Sequence, residues 1–401
     1  MPAGYESGLR VIEHFLGRSE SDLDGGLTPN TQTRGVFPSL TSAPTITPGR
    51  NVRVRDGVLT GIAAIPESAI SVHGFRPEYS VAFDGIPEDM LPFLMSFFHN
   101  VEVTGAPTPP VLTPYRENSQ FKFGMIDSRP DYTGAIVGTY NPAAGDYNSL
   151  VSMSDAYTIS LEWLYGHGDL GDTNNGLQID NCITNRLLFE CSRGADSVLQ
   201  VTADGFGRTA DELPDYAAAS WGPGVNGTLS TQTVFAPDTF VLQALTINAG
   251  DVKATFEDWM DSISVEITSG ISGRDNLGSD GFGSLLTDGR PQVAVQLGMA
   301  HVDPGFITAM VNNQKITCTL RFSNSGTEQL DIVLPNLRIT EEFAATGDAN
   351  SDLDIVVPMV GVVDPDVASP LVEIDLTTDF DVRTNSFWNS ATLQDTVGLI
   401  T

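Results

Sequence analysis

Gly222-Pro-Gly-Val-Asn-Gly227 has the glycine spacing of a dinucleotide cradle, in which backbone amides approach a pyrophosphate at the start of a helix. A proline stands inside it and a Thr/Ser/Gln run of strand character follows, so no helix N-terminus is there to receive phosphate. No Lys follows a Gly anywhere, which excludes a P-loop. Gly281-Phe-Gly283-Ser284 lacks the GxSxG spacing of a strained nucleophile elbow, and His14, His73, His99, His167 and His301 are scattered with no HExxH. Asp348-Ala-Asn350-Ser-Asp352-Leu-Asp354 sets oxygens at alternate positions as a calcium loop does. Its sixth residue is Leu353 instead of Gly and its twelfth is Met359 instead of Glu, so it reads as an acidic turn. A glycosidase needs only two well-placed carboxylates, and among 51 acids the spacing selects no pair. Cys182, Cys191 and Cys318 form neither a disulfide framework nor a zinc pattern and read as small apolar side chains. The expectation is a chain with no enzymatic activity, no cofactor and no metal site.

Charge narrows the partners. In 401 residues, 51 acids stand against 20 bases, a net charge of −31, which excludes gripping nucleic acid through a basic surface. It does not exclude a surface past which nucleic acid slides. Asp (34) is twice Glu (17), and only Lys122, Lys253 and Lys315 accompany 17 Arg. That skew fits a halophilic protein, because molar salt cuts the Debye length to about 3 Å and screens a large like charge; a GC-rich genome would also favour Arg over Lys. No apolar run approaches 18 residues, and the opening MPAGYESGLRVIEHFLG lacks the basic and apolar blocks of a signal peptide. A soluble, unprocessed chain is expected.

The elements that would have to position any site are strands. Apolar residues alternate with polar ones in Tyr157–Trp163, Ile263–Ile267, Ile316–Phe322 and Leu330–Leu334, each a strand with one wet and one buried face. Two short helices are expected. Asp89 caps one, with Pro92 in its first turn and Met90, Leu94, Phe97 and Phe98 on one side; Asp303 caps the other, with Pro304 at its first position and Phe306, Ile307, Met310 and Val311 following. Long Gly/Pro/Ser/Thr/Asp stretches at 17–57, 101–156, 206–237 and 268–290 read as loops, and 206–237 as the domain boundary.

The two parts of the chain resemble each other. At an offset of 214, Arg76-Pro-Glu-Tyr-Ser-Val-Ala-Phe falls on Arg290-Pro-Gln-Val-Ala-Val-Gln-Leu, and Asp89 falls on Asp303. In both parts a loop leads to Arg-Pro, a strand, an Asp-capped helix, an alternating strand and then a pair of strands, the pairs beginning at Asn185 and Asn336.

This order of elements resembles the major tail tube proteins of long-tailed viruses of bacteria and archaea, over most of the chain. It is carried by Gly4–Glu13, the helix segment Gly85–Phe98, the run Gly176–Glu190, Asp261–Gly270 and Leu330–Ile339; the insertion 101–156 and the tail from about 380 depart from the pattern. The resemblance implies a mainly β fold of two tandem tail-tube-type β-sandwich, barrel-forming domains, each with one short flanking helix: residues 1–215 with the insertion 101–156, residues 216–380, and a C-terminal tail 381–401. It implies a structural virion protein with no catalytic role, whose stacked rings form a hollow tube that conducts viral DNA during ejection without specific binding. Each ring would be a homotrimer with pseudo-hexameric symmetry, or a homohexamer if the chain holds one copy of the fold. Other tail proteins would meet the tube ends, and no membrane is involved. The subunit would be found in the virion tail, and in the host cytoplasm during assembly. The loop 268–290, with Arg274, Asp275, Asp280 and Asp288, and the loop 17–57 would reach the adjacent ring. The competing reading is an extracellular acidic β-sandwich that binds carbohydrate or acts as an adhesin; a carbohydrate-active enzyme is the third.

Overall fold

The computed structural model describes residues 8–13, 36–54, 70–98, 102–104, 119–125, 158–164, 176–194, 197–212, 228–229, 233–237, 240–253, 260–275, 282–287, 291–300, 304–324, 328–341, 345–346, 354–362 and 370–378. In chain order these form β1 (Gly8–Glu13), β2 (Val36–Phe37), β3 (Thr45–Thr47), β4 (Arg50–Val54), β5 (Ile70–Phe75), β6 (Glu78–Asp84), α1 (Pro87–Phe98), β7 (Glu102–Thr104), β8 (Ser119–Met125), β9 (Ile159–Leu164), β10 (Gly176–Ser192), β11 (Gln200–Phe206) and β12 (Thr209–Glu212). There follow β13 (Thr228–Leu229), β14 (Phe240–Ile247), β15 (Gly250–Asp251), β16 (Met260–Thr268), β17 (Ile271–Asp275), β18 (Phe282–Thr287), β19 (Gln292–Met299), α2 (Pro304–Val311), β20 (Ile316–Ser323), β21 (Gln329–Ile339), β22 (Ala345–Thr346), β23 (Asp354–Gly361) and β24 (Val372–Thr378). The chain is mainly β.

Alternation in the sequence becomes one face of a sheet. Strands β6, β11, β10, β16, β19 and β23 pair antiparallel in that spatial order. One row across them reads Phe83, Val201, Phe189, Val265, Val295 and Met359, each directly opposite the next and each buried. Burying such a side chain fully is worth about 1.5–3 kcal/mol, so each row fixes the register of every strand in it. The four alternating segments expected from sequence are all strands. The last continues as β21 through Pro335 and Asn336 to Ile339.

Two wings extend this central sheet, because β10 and β21 are long enough to belong to both. Asn181 bends β10: it has φ 52, a left-handed conformation that asparagine tolerates better than most residues, at a register shift between Ile179 and Cys182. Before the bend β10 pairs with β9 and β12; after it, with β11 and β16. In the second wing the first part of β21 lies between β20 and β24, and β24 continues to β8 and β7. Among the described residues only β13 and β2 pair parallel. Twenty strands joined by nineteen pairings form one connected sheet and leave no circuit, so among the described residues the sheet is open, with free edges.

The pairings also run twice in one order. In the first part β1 pairs β9, β3 pairs β6, β6 pairs β11, β9 and β11 pair β10, and β12 pairs β10. In the second, β14 pairs β20, β16 pairs β19, β19 pairs β23, β20 and β23 pair β21, and β24 pairs β21. A helix follows β6 and β19, and a separate two-stranded hairpin precedes each of them: β4–β5 and β17–β18.

Helix α1 begins at Pro87, whose fixed φ suits a first helical position, and the Ile86 carbonyl accepts the Met90 N–H at 3.0 Å. Asp89 is therefore inside the first turn and is not the cap. Pro92 lies further along and costs the helix one amide bond. All twelve residues are buried, not one face only, because α1 packs on β10 and is also reached by β8 and β24. Helix α2 starts at Pro304 as expected; Asp303 lies outside the described residues. Neither helix is long and apolar enough to cross a membrane.

The stretches expected to be loops carry strands. β3 and β4 lie in 17–57, β7 and β8 in 101–156, β12 and β13 in 206–237, and β17 and β18 in 268–290. Most of these strands are too short to show a period; β8, where Phe121, Phe123 and Met125 alternate, sits inside a long stretch whose Gly, Pro, Ser and Asp content reads as loop as a whole.

Candidate functional site

Over β6, β11, β10, β16 and β19 the face of the central sheet away from the core is mostly polar, while β23 presents Val356, Pro358 and Val360 there. It carries Glu78 and Asp84 on β6, Asp204 on β11, Arg186 and Glu190 on β10, and Glu266 on β16, with Ser264, Gln292 and Gln296 among them. These residues follow from period two: each stands between the apolar residues that fill the core. Five carboxylates against one guanidinium make this face acidic.

That guanidinium holds the middle of the face. Arg186 donates Nε–H to Glu266 Oε1 at 2.7 Å and pairs through NH1 with Asp204 Oδ2. Hydrogen bonding to Glu266, and then to Asp204, raises its pKa further, so it stays charged. Arg186 thereby links β11, β10 and β16 across the place where the first set of paired strands meets the second. That meeting is itself a seven-residue antiparallel ladder, Arg186↔Thr268 to Ser192↔Ser262. On the second wing Arg321 grips Asp331 with two bonds, 2.7 and 2.6 Å.

Two polar clusters are buried. On β9 and β10, Ser160 Oγ and Gln178 Nε2 donate to Asp180 Oδ1 at 2.6 and 2.7 Å. Under α1, Tyr79 Oη and Ser96 Oγ share Thr184 Oγ1 at 2.8 and 2.9 Å, and Thr184 N–H donates to Ser96 Oγ. This second cluster clamps the helix to β10 beside its bulge at Thr184/Arg186. The phenol is pushed up by burial and has no acidic role near neutrality.

Asp89 forms a third polar contact. Its Oδ2 accepts the Ser39 N–H at 2.9 Å, fixing the segment that leads into β3, and its buried Oδ1 has no hydrogen-bond partner. Burial, helped by Glu88 and Asp84, pushes its pKa up to about 7 against the bond from Ser39.

No known protein family matches the chain, and no curated protein does.

The residues expected to reach another ring are placed as follows. Arg274 and Asp275 are on β17, opposite Ser284 and Phe282 of β18; Asp280 and Asp288 lie outside the described residues. The expected loop thus carries a hairpin, which among the described residues is a two-stranded sheet of its own, and β4–β5 is its counterpart. Gly222–Gly227 and Asp348–Asn350 lie outside the described residues too. All three cysteines are buried, and burial pushes the Cys191 and Cys318 thiols up to about 11 and about 12, so neither is a ready nucleophile. Among the described residues no three His, Cys, Asp or Glu side chains gather as metal ligands.

Sequence reasoning missed Arg186, Asn181 and the Ser39–Asp89 contact. Arg186 had one available signal: a basic residue on the polar face of an otherwise acidic strand pattern. The other two depend on a bend and on a contact 50 positions apart in sequence, neither of which leaves a local mark.

Proposed function

We propose that the protein is a structural subunit of a viral tail tube, and that its two sets of paired strands are two tandem copies of one tube fold. The reading is carried by one observation: the same order of strands and helix, with the same pairings and the same inserted hairpin, occurs twice and is joined edge to edge through β10 and β16. A joint that links one copy to the next through strand edges also serves to link chain to chain. Three chains then close a ring of six copies, because head-to-tail contacts end only when the rotation closes. The acidic face of the central sheet lines the conduit, where carboxylates repel passing phosphates. The hairpins β4–β5 and β17–β18 project toward the neighbouring ring. Fixing them costs conformational entropy that contacts between rings offset. The subunit needs no catalytic group, cofactor or metal for this role.

Electron microscopy of the purified protein, with the mass of an isolated ring, tests the proposal. Rings or tubes near three times 42.9 kDa per ring are expected. Discrete monomers in every salt would reject it in favour of a binding module, and rings of six chains would reject the duplication.

A further inference from the structure

What the first copy of the fold receives from the second, the second copy lacks, and the missing contacts lie together. Helix α1 is buried along its whole length, with β24 of the other copy among its neighbours. Helix α2, at the same place in the second copy, buries Phe306 and Ala309 but leaves Ile307 49% and Val311 72% exposed. The strand edges show the same asymmetry. Past Cys182, the last residue matched by β9, β10 is met on that side by β16. Past Leu337, which is matched by β20, Arg338 and Ile339 of β21 have no strand on that side among the described residues.

The counterpart of β16 in the first copy is β3, which among the described residues pairs only with β6 and so has no strand on its outer edge. The Arg76 N–H donates to the Gly49 carbonyl, and the register Thr47↔Glu78 and Thr45↔Ser80 carries that phase along the strand. Thr45 and Thr47 therefore bond inward, and Ile46 presents its N–H and C=O outward. Pro44 and Pro48, next in phase, have no N–H to offer, so this edge accepts only a short, specific pairing and resists indiscriminate strand addition.

We infer that a second copy of this chain docks at the open end of the second fold copy, covering Ile307 and Val311 of α2 and pairing the outer edge of its own β3, at Ile46, with β21 at Arg338–Ile339. The occupant is a second copy because the contact repeats the joint already present between β10 and β16, and β3 and β21 stand at opposite ends of one row of paired strands, β3–β6–β11–β10–β16–β19–β23–β21. The contact is head-to-tail. The inference rests on the reading of the protein as a ring-forming subunit.

The full chain carrying I307D and V311D tests it, compared with the unsubstituted chain by sedimentation velocity in low and molar salt. Both substituted side chains are exposed, so the variant should keep the wild-type circular dichroism and melting temperature while sedimenting as a 42.9 kDa monomer. In assembled wild-type protein, hydrogen exchange at the Ile46 amide should be at least tenfold slower than in the variant. Wild-type rings with an equally ring-forming variant overturn the inference alone, as does unprotected Ile46 in the rings or a two-chain complex in which α2 meets α2. A wild-type chain that stays monomeric in every salt removes the tail-tube reading and the inference together.

Discussion

At Asp89 the balance between burial and hydrogen bonding decides the charge. A carboxylate at a helix N-terminus ordinarily gains from the dipole and from amide donors. Here one oxygen has the Ser39 N–H and the other has nothing, while Glu88 and Asp84 add like charge nearby, so desolvation wins and the group titrates at about 7. The folded chain binds this proton more tightly than the unfolded chain, whose Asp has a pKa of about 4. Its contribution to stability is therefore fully present below about pH 4 and is lost as the pH rises through about 7. Asp89→Asn keeps an oxygen for Ser39 and removes the ionisation. It should stabilise the protein at pH 8 by on the order of 2–4 kcal/mol and by under about 1 kcal/mol at pH 4.5. Urea unfolding at the two pH values measures this, and equal wild-type and variant stabilities at pH 8 would refute the assignment.

Strand β10 works as one element only because it turns at Asn181, so that seventeen residues serve a wing and the central sheet in succession. A β-branched side chain pays heavily for a positive φ, and glycine pays nothing. Asn181→Val should cost about 2–3 kcal/mol more than Asn181→Gly, measured by thermal or chemical denaturation. Equal costs would mean the bend does not constrain the strand. The strands that bury one face were legible in sequence: Ile316–Phe322 shows its alternation because the core selects every second residue. Helix α2 was legible from Pro304. The bend at Asn181 and the position of Asp89 within α1 were not, since Pro87 and Asp89 both suit a helix start and only the packing selects between them. The hairpin at Ile271–Asp275 and Phe282–Thr287 looked like loop because Gly273, Arg274, Asp275 and Gly283 break any apolar alternation. Arg274 and Asp275 were singled out by their place in a long polar stretch and lie on β17, while the acidic sheet face was hidden among 51 carboxylates until register placed five of them on one face.

For the whole molecule, charge would set the conditions of the proposed assembly. Each chain carries −31, so the proposed contact between α2 and β21 of one chain and β3 of the next would bring two strongly acidic chains together. In 0.01 M salt the Debye length is about 30 Å, so whole subunits repel; in 1 M salt it is about 3 Å, and only charges nearly in contact still interact. In the proposed contact the attractive part would be short-ranged and apolar, carried by side chains such as the exposed Ile307 and Val311, and molar salt would leave it in place. Arg186 is partly buried between Asp204 and Glu266, so the joint inside each chain should outlast the joints between chains when salt is withdrawn. Dialysis from molar to 0.01 M salt should therefore separate rings into monomers that keep their far-ultraviolet circular dichroism, and returning the salt should restore them. Sedimentation velocity across a salt series reads the transition. Assemblies equally stable at both ends of the series would show that the acidic surface does not oppose association, and the excess of Asp over Glu and the scarcity of Lys would then reflect genome composition instead of working salt.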